Sequence, residues 1–217
     1  MKKLLIFLLV LAIILATPVV INILQNGIGG PDGRTMDEIL GKSSASAKVE
    51  DINALSKADI MQLFHAASAP RFSVMNGEFE ARLLDKGVLA KASSIFTHNL
   101  MGPGHWEGKA FTPATKTEGW GYNLFSSSKG GENALARLVR MDTHVGPSVF
   151  DDKDSFHLTY APHNHGMLNT MQDEIRQINP RLFLGYGYMD WSGGKRNPAP
   201  FVLIGPPTPW VGTDGDN

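Results

Sequence analysis

The side chains of this 217-residue chain best equipped to move protons are its histidines and a few carboxylates set among apolar neighbours. His98, His144, Glu78 and Glu80 are the candidate general acids and bases: imidazole titrates near neutral pH, and a carboxylate is tuned upward when apolar groups surround it. One acid, one base and a dry, shaped pocket suffice for a cofactor-free isomerase, cyclase or lyase step on an apolar epoxide or enone. Arg137 and Arg140 lie in the otherwise apolar run Leu135 to Met141. A cation aimed into a protein interior must be paired or used. Their odd spacing sends them to opposite faces of a strand, so one of the two is expected to point inward. Trp106, Trp120, Tyr122, Phe125, Phe156, Tyr160, Tyr186 and Tyr188 have the make-up of an apolar pocket with a few polar tips. The plainer uses of these residues are a solvated exterior for the charged ones and core filling for the aromatic ones.

Other chemistries are disfavoured. His163-x-His165, with His157 upstream, offers three imidazoles, but Pro162, Asn164 and Gly166 suit a turn, and no carboxylate stands at ligand spacing, so no metal site is expected. HExxH, GxSxG, a P-loop and a strand-linked GxGxxG are all missing, and no cofactor is expected. The absence of cysteine removes thiolate nucleophiles, disulfides and cysteine metal sites together. Twenty basic against twenty-one acidic residues leave a formal charge of -1, which is no footprint for nucleic acid.

The elements that must carry these residues fall into three parts. After Met1-Lys2-Lys3, the stretch Leu4 to Leu24 has no charge and reaches about 31 Å as a helix, the thickness of a bilayer core. Residues 1–25 are therefore a membrane anchor, spanning through residues 4–24, or a signal segment ending near Ala16-Thr17-Pro18. The two lysines ahead of the run put the body outside the cytoplasm, periplasmic or extracellular, and secreted if the leader is cleaved. Residues 26–49, with Gly29-Gly30-Pro31 and a Ser/Ala-rich stretch, read as a flexible linker. From 50 to 217 a folded domain is expected. It opens with a helix from Ser56 to Ala67, capped by Ser56 and Asp59 and stopped by Pro70.

From Val74 the period changes to two. Apolar runs follow at Trp106–Phe111, Gly119–Phe125, Leu135–Met141, Ser155–Tyr160, Leu182–Met189 and Phe201–Ile204, parted by Lys129-Gly130-Gly131, Gly146-Pro147, Asn179-Pro180 and Gly193-Gly194. Seven strands result, or eight if Val88–Phe96 also pairs. Strands without alternating long helices predict a mainly β fold: a small antiparallel barrel behind one or two N-terminal helices.

Gly104-x-Trp106-x-Gly108 resembles the signature of the GXWXG group of lipocalin-like proteins, and Trp106-x-Gly108-Lys109-x-Phe111 is similar to a second element of that group. Asn179-Pro180-Arg181-Leu182-Phe183-Leu184-Gly185 is similar in character to the closing strand of such barrels. The resemblance implies a calycin-type barrel and no settled activity. Three functions are then open: a tethered barrel binding a hydrophobic small molecule (a lipid, terpenoid or aromatic metabolite), the acid–base enzyme in the same cavity, or a structural envelope protein contacting a partner through Ser126–Gly131 and Trp191–Pro200.

Overall fold

The computed structural model describes residues 2–27, 29–127 and 134–214. Eight strands form one closed barrel: β1 (Gly77–Leu83), β2 (Trp106–Pro113), β3 (Glu118–Ser126), β4 (Leu135–Pro147), β5 (Asp154–Thr159), β6 (Met171–Asn179), β7 (Leu182–Met189) and β8 (Ala199–Thr208). Each is antiparallel to the next, and β8 returns to pair with β1. Closure leaves no strand edge unpaired. The eighth strand is β6, whose polar run Gln172-Asp173-Glu174 hides its alternation, whereas Val88–Phe96 is not a strand. That segment holds α5 (Ala90–Ile95), which continues into a π-helical turn at Phe96–Leu100. Leu182–Gly185 opens the penultimate strand; the closing one is β8. The Lys129-Gly130-Gly131 turn, and most of the Ser126–Gly131 loop, lie outside the described residues.

Alternation sorts the side chains between the two faces. Phe79, Phe111, Phe156 and Phe183 fill the lower half of the interior, with ring centroids 5.3–5.9 Å apart. Phe72, in the short turn before β1, packs on Phe156 from below. Of the four register shifts among the described strands, two reset the alternation where the interior is built. One, between Trp106 and Gly108 of β2, turns both Trp106 and Lys109 inward. The other, at Val139 of β4, has φ 59°, a strained value for a β-branched residue.

The N-terminal helices coat the outside. Helix α4 (Lys57–Ala66), N-capped by Ser56, lays Ile60, Leu63 and Phe64 against Leu184, Tyr186 and Val202 on the outer faces of β7 and β8. Residues 36–47 are not spacer. Met36–Leu40 is a helix, α2, with Thr35 and Glu38 closing a capping box and Ile39 buried in the same layer; α3 (Val49–Ala54) adds Ile52. The short length of α2 and the serines after it mask this signal in the sequence.

Helix α1 (Lys2–Leu24) is long and apolar enough to cross a membrane by length and composition. Its C-terminal end is fastened to the barrel end where β1 stops and β2 starts. Asn22 Nδ2 donates to Asn197 Oδ1 at 2.5 Å, Asn26 Nδ2 to the Arg196 carbonyl at 3.1 Å, and Lys57 Nζ to the Asn22 carbonyl at 3.3 Å. The backbone N–H of Val88 donates to Gln25 Oε1 at 3.0 Å. Loss of hydration along this contact pulls the Lys57 ammonium down to about 8.

Candidate functional site

Above the phenylalanine layer the barrel is hollow. A cavity of about 420 Å³, within the range of small-molecule sites, opens at the end capped by α5. Its walls are mostly apolar: Leu83, Trp106, Met171, Met189 and Phe201 from the strands, with Leu89, Phe96 and Met101 from the β1–β2 connection. Val19 and Asn22 of α1 stand at the opening.

The floor of the cavity is charged. Lys109 on β2 and Asp173 on β6 both line it, and both are buried. Lys109 Nζ spends its three protons on Tyr160 Oη at 2.6 Å, Asp173 Oδ2 at 2.8 Å and Asn123 Oδ1 at 2.9 Å. The Tyr160 hydroxyl passes its own proton to Asp173 Oδ2 at 2.7 Å, and Trp106 Nε1 donates to Asn123 Oδ1 at 3.0 Å. Asn123 is oriented by the bulge at Val139, whose carbonyl accepts from its Nδ2 at 3.3 Å. The rings of Trp106, Tyr160 and Phe201, 5.2–5.4 Å from Nζ, face the ammonium. Burial pulls Lys109 below its ordinary value, against the pull of Asp173; burial, and then Asp173, push Tyr160 well above its own.

One atom is left over. Asp173 Oδ1 is buried with no hydrogen-bond partner among the described residues. It has its space because Gly187, directly opposite on β7, carries no side chain: a Cβ there would come within 2.8 Å of the oxygen. A buried carboxylate oxygen without a donor costs free energy, about 1–3 kcal/mol for an ordinary polar group and more for a charged one. On the floor of an apolar cavity, that oxygen is able to accept a hydroxyl, amide or amine proton.

The residues singled out in the sequence divide around this site. Trp106 lines the cavity; Tyr160 belongs to its floor; Phe125 and Phe156 are interior, above and below. Trp120, Tyr122, Arg137 and Arg140 are on the outer face. The arginines share it, contrary to their odd spacing, because the extra residue at Val139 resets the strand. Arg137 Nε donates to Glu78 Oε1 at 2.7 Å, as does the Tyr122 hydroxyl at 2.7 Å; Arg140 lies 4.3 Å above the Trp120 ring. Desolvation, then Glu78, push Tyr122 up to about 12. Glu80 is exposed and bonded to Arg82. Tyr186 also projects outward, under α4; Tyr188, whose hydroxyl donates to Gln172 Oε1 at 3.1 Å, is among the residues that line the cavity.

None of the four acid–base candidates is among the residues that line the cavity. His98 stacks on His105 at 3.8 Å and His144 on His157 at 4.7 Å; burial first, and the facing imidazole second, hold His98 and His144 below their ordinary value. His157 and His163 are engaged elsewhere, within hydrogen-bond distance of the Gly146 carbonyl and of Asp142 Oδ1. Among the described residues no group of three His, Asp or Glu is arranged to hold a metal ion.

Sequence reasoning misses Lys109, Asn123 and Asp173 as site residues. A signal existed: Lys109 shares parity with Phe111, and Asp173 with Ile175, so each is a charge on an apolar face. The glycines of the Gly104-x-Trp106-x-Gly108 element serve backbone approach. A Cβ at Gly108 would fall on the Phe79 carbonyl of β1, and one at Gly104 on the Ser126 carbonyl of β3.

No protein-family profile matches the chain. No curated protein matches it either. Among solved structures, a protein from Thermomonospora curvata is similar at 15% identity, with a TM-score of 0.46, over 69% of this chain and 86% of that one.

Proposed function

We propose that the barrel is a tethered binding protein for one hydrophobic small molecule that carries a hydrogen-bond donor, such as a lipid-phase or terpenoid alcohol. The observation that carries this reading is the unpartnered Asp173 Oδ1 on the floor of an otherwise apolar cavity. The apolar body of the ligand would replace water along Leu83, Met171, Met189 and Phe201, and its donor would complete the Asp173 carboxylate. Neither feature alone is selective. Together they favour an alcohol over a hydrocarbon of the same length and over a carboxylate, which Asp173 would repel.

Binding is favoured over turnover by the state of Lys109. Its three protons are committed to protein acceptors at 2.6–2.9 Å, which suits holding a carboxylate in place better than delivering a proton to a guest. Resemblance to the GXWXG lipocalin-like proteins agrees with this reading, since the shared element contributes Trp106 to the cavity wall. Purification of the full chain in mild detergent, solvent extraction and mass spectrometry test it. A co-purified apolar molecule bearing a hydroxyl or amide is expected from wild type. It should be absent from the Lys109→Met/Asp173→Leu double variant. Equal recovery from both proteins would refute the assignment of the floor.

A further inference from the structure

We infer that the open end of the barrel is seated in the headgroup layer of a membrane, with its cavity opening toward the lipid phase. The uncharged run Leu4 to Leu24 supplies about 31 Å of helix, what a bilayer core of about 30 Å requires, with nothing to spare. Yet the last two turns of that helix are not free. Val19 lines the cavity opening, and Asn22 and Asn26 are buried against Asn197 and Arg196 of the β7–β8 connection. The portion from Pro18 to Asn26 that lies along the barrel end amounts to about 12–13 Å. If this portion completes the span, the barrel end beside it must reach the membrane surface. A barrel held clear of the bilayer would leave only Leu4 to Thr17, about 21 Å, to cross it.

A second observation is independent of the helix. Outside α1, seven large hydrophobic side chains are exposed among the described residues, and five of them, Val88, Ile95, Leu100, Met167 and Trp191, lie on connections at this same end. They come from three separate connections, β1–β2, β5–β6 and β7–β8, and are 47–65% exposed. A soluble surface scatters such residues singly; here five share the barrel end on which the cavity opens, Trp191 lining the cavity itself, and a tryptophan at an interface is favoured in headgroups. The occupant that fits both observations is a phospholipid surface. The placement deepens the binding reading only in its consequence: the guest would enter from the lipid phase without crossing water.

The absence of cysteine permits a direct test. Full-length protein carrying Leu100→Cys, Met167→Cys or Trp191→Cys is labelled with an environment-sensitive fluorophore and reconstituted in phosphatidylcholine nanodiscs containing a headgroup-spin-labelled lipid. Lys116→Cys, in the β2–β3 turn at the opposite end, is the reference. Quenching several-fold stronger at 100, 167 and 191 than at 116 is the expected result. Equal quenching at all four positions would overturn the placement, whatever the extraction experiment returns. Conversely, strong rim quenching with no co-purified molecule would uphold the placement and refute the carrier.

Discussion

Arg176 and Lys109 are both fully buried cations paired with a carboxylate, one on each face of the barrel wall, and they differ in what is left over. On the outer face, beneath α4, Arg176 uses every proton it has. Nε donates to Ser155 Oγ at 3.0 Å; Nη1 to Asp151 Oδ2 at 2.7 Å and the Phe64 carbonyl at 2.9 Å; Nη2 to Asp151 Oδ1 at 2.5 Å and the Lys153 carbonyl at 2.9 Å. Asp151 is equally complete, with His65 Nδ1 at 2.7 Å and the Lys153 backbone N–H at 3.2 Å as its other partners. On the inner face Asp173 keeps one oxygen unserved beside a cavity. A saturated cluster holds elements together; an unsaturated oxygen beside a cavity is still open to a donor. The donor count alone does not make the distinction, since Glu174 Oε2 on the outer face is also buried without a partner among the described residues; the cavity beside Asp173 does.

The largest effect expected from this contrast is on stability. Arg176→Met should cost about 3–5 kcal/mol in denaturant unfolding, because it strands the Asp151 charge together with the Phe64 and Lys153 carbonyls. Lys109→Met alone should cost a comparable amount for the same reason. The double variants should then diverge. Lys109→Met/Asp173→Leu removes both charges, leaves the Tyr160 hydroxyl as the one group stripped of both partners, and is expected to unfold within about 1–3 kcal/mol of wild type. Arg176→Met/Asp151→Leu stays destabilised, since the neutral partners of Arg176 remain unpaired. Equal recovery in both doubles would erase the distinction.

Acid unfolding sharpens the same comparison at smaller amplitude. The hydrogen bonds of Arg176 and His65 outweigh burial and hold the Asp151 carboxyl down to about 2, below its ordinary value of 3.8. A carboxylate with a folded value below its unfolded one contributes stability that is complete above about pH 4–5 and is lost as pH falls toward 2. Stability measured from pH 5 to pH 2 should therefore drop, on the order of 1–2 kcal/mol of it through Asp151. Asp151→Asn should flatten that part of the profile. The smallest effect is local. Gly187→Ala brings a methyl against Asp173 Oδ1 and should weaken binding of an alcohol probe several-fold, with a loss of about 1 kcal/mol or less in stability, read by parallel titration and thermal melts.

Much of this architecture was legible from the residues. The period-two runs locate seven of the eight strands, and Ser56 with Asp59 announces α4. What stayed hidden has a common cause. Strand β6 carries polar groups toward both faces, Asp173 into the inner cluster and Arg176 into the outer one, so it shows no apolar stripe. The two bulges invert parity at the start of β2 and within β4. They make Lys109 a companion of Trp106 and put Arg137 and Arg140 side by side, and nothing in the sequence marks Val139 as a bulge. The aromatic parts of the candidate site, Trp106, Tyr160 and Tyr188, are accordingly legible in the sequence, and its charged parts are not.

The account rests on Asp173 Oδ1 receiving a proton from a guest, and a paired titration tests that most directly. Full-length protein in detergent is titrated with 1-dodecanol and with dodecane by displacement of a fluorescent apolar probe, and the Lys109→Met/Asp173→Leu variant is treated identically so that micelle partitioning cancels. A charge-assisted hydrogen bond of about 1.5–3 kcal/mol predicts that wild type prefers the alcohol by roughly 10- to 100-fold more than the variant does. The same preference in both proteins would contradict it.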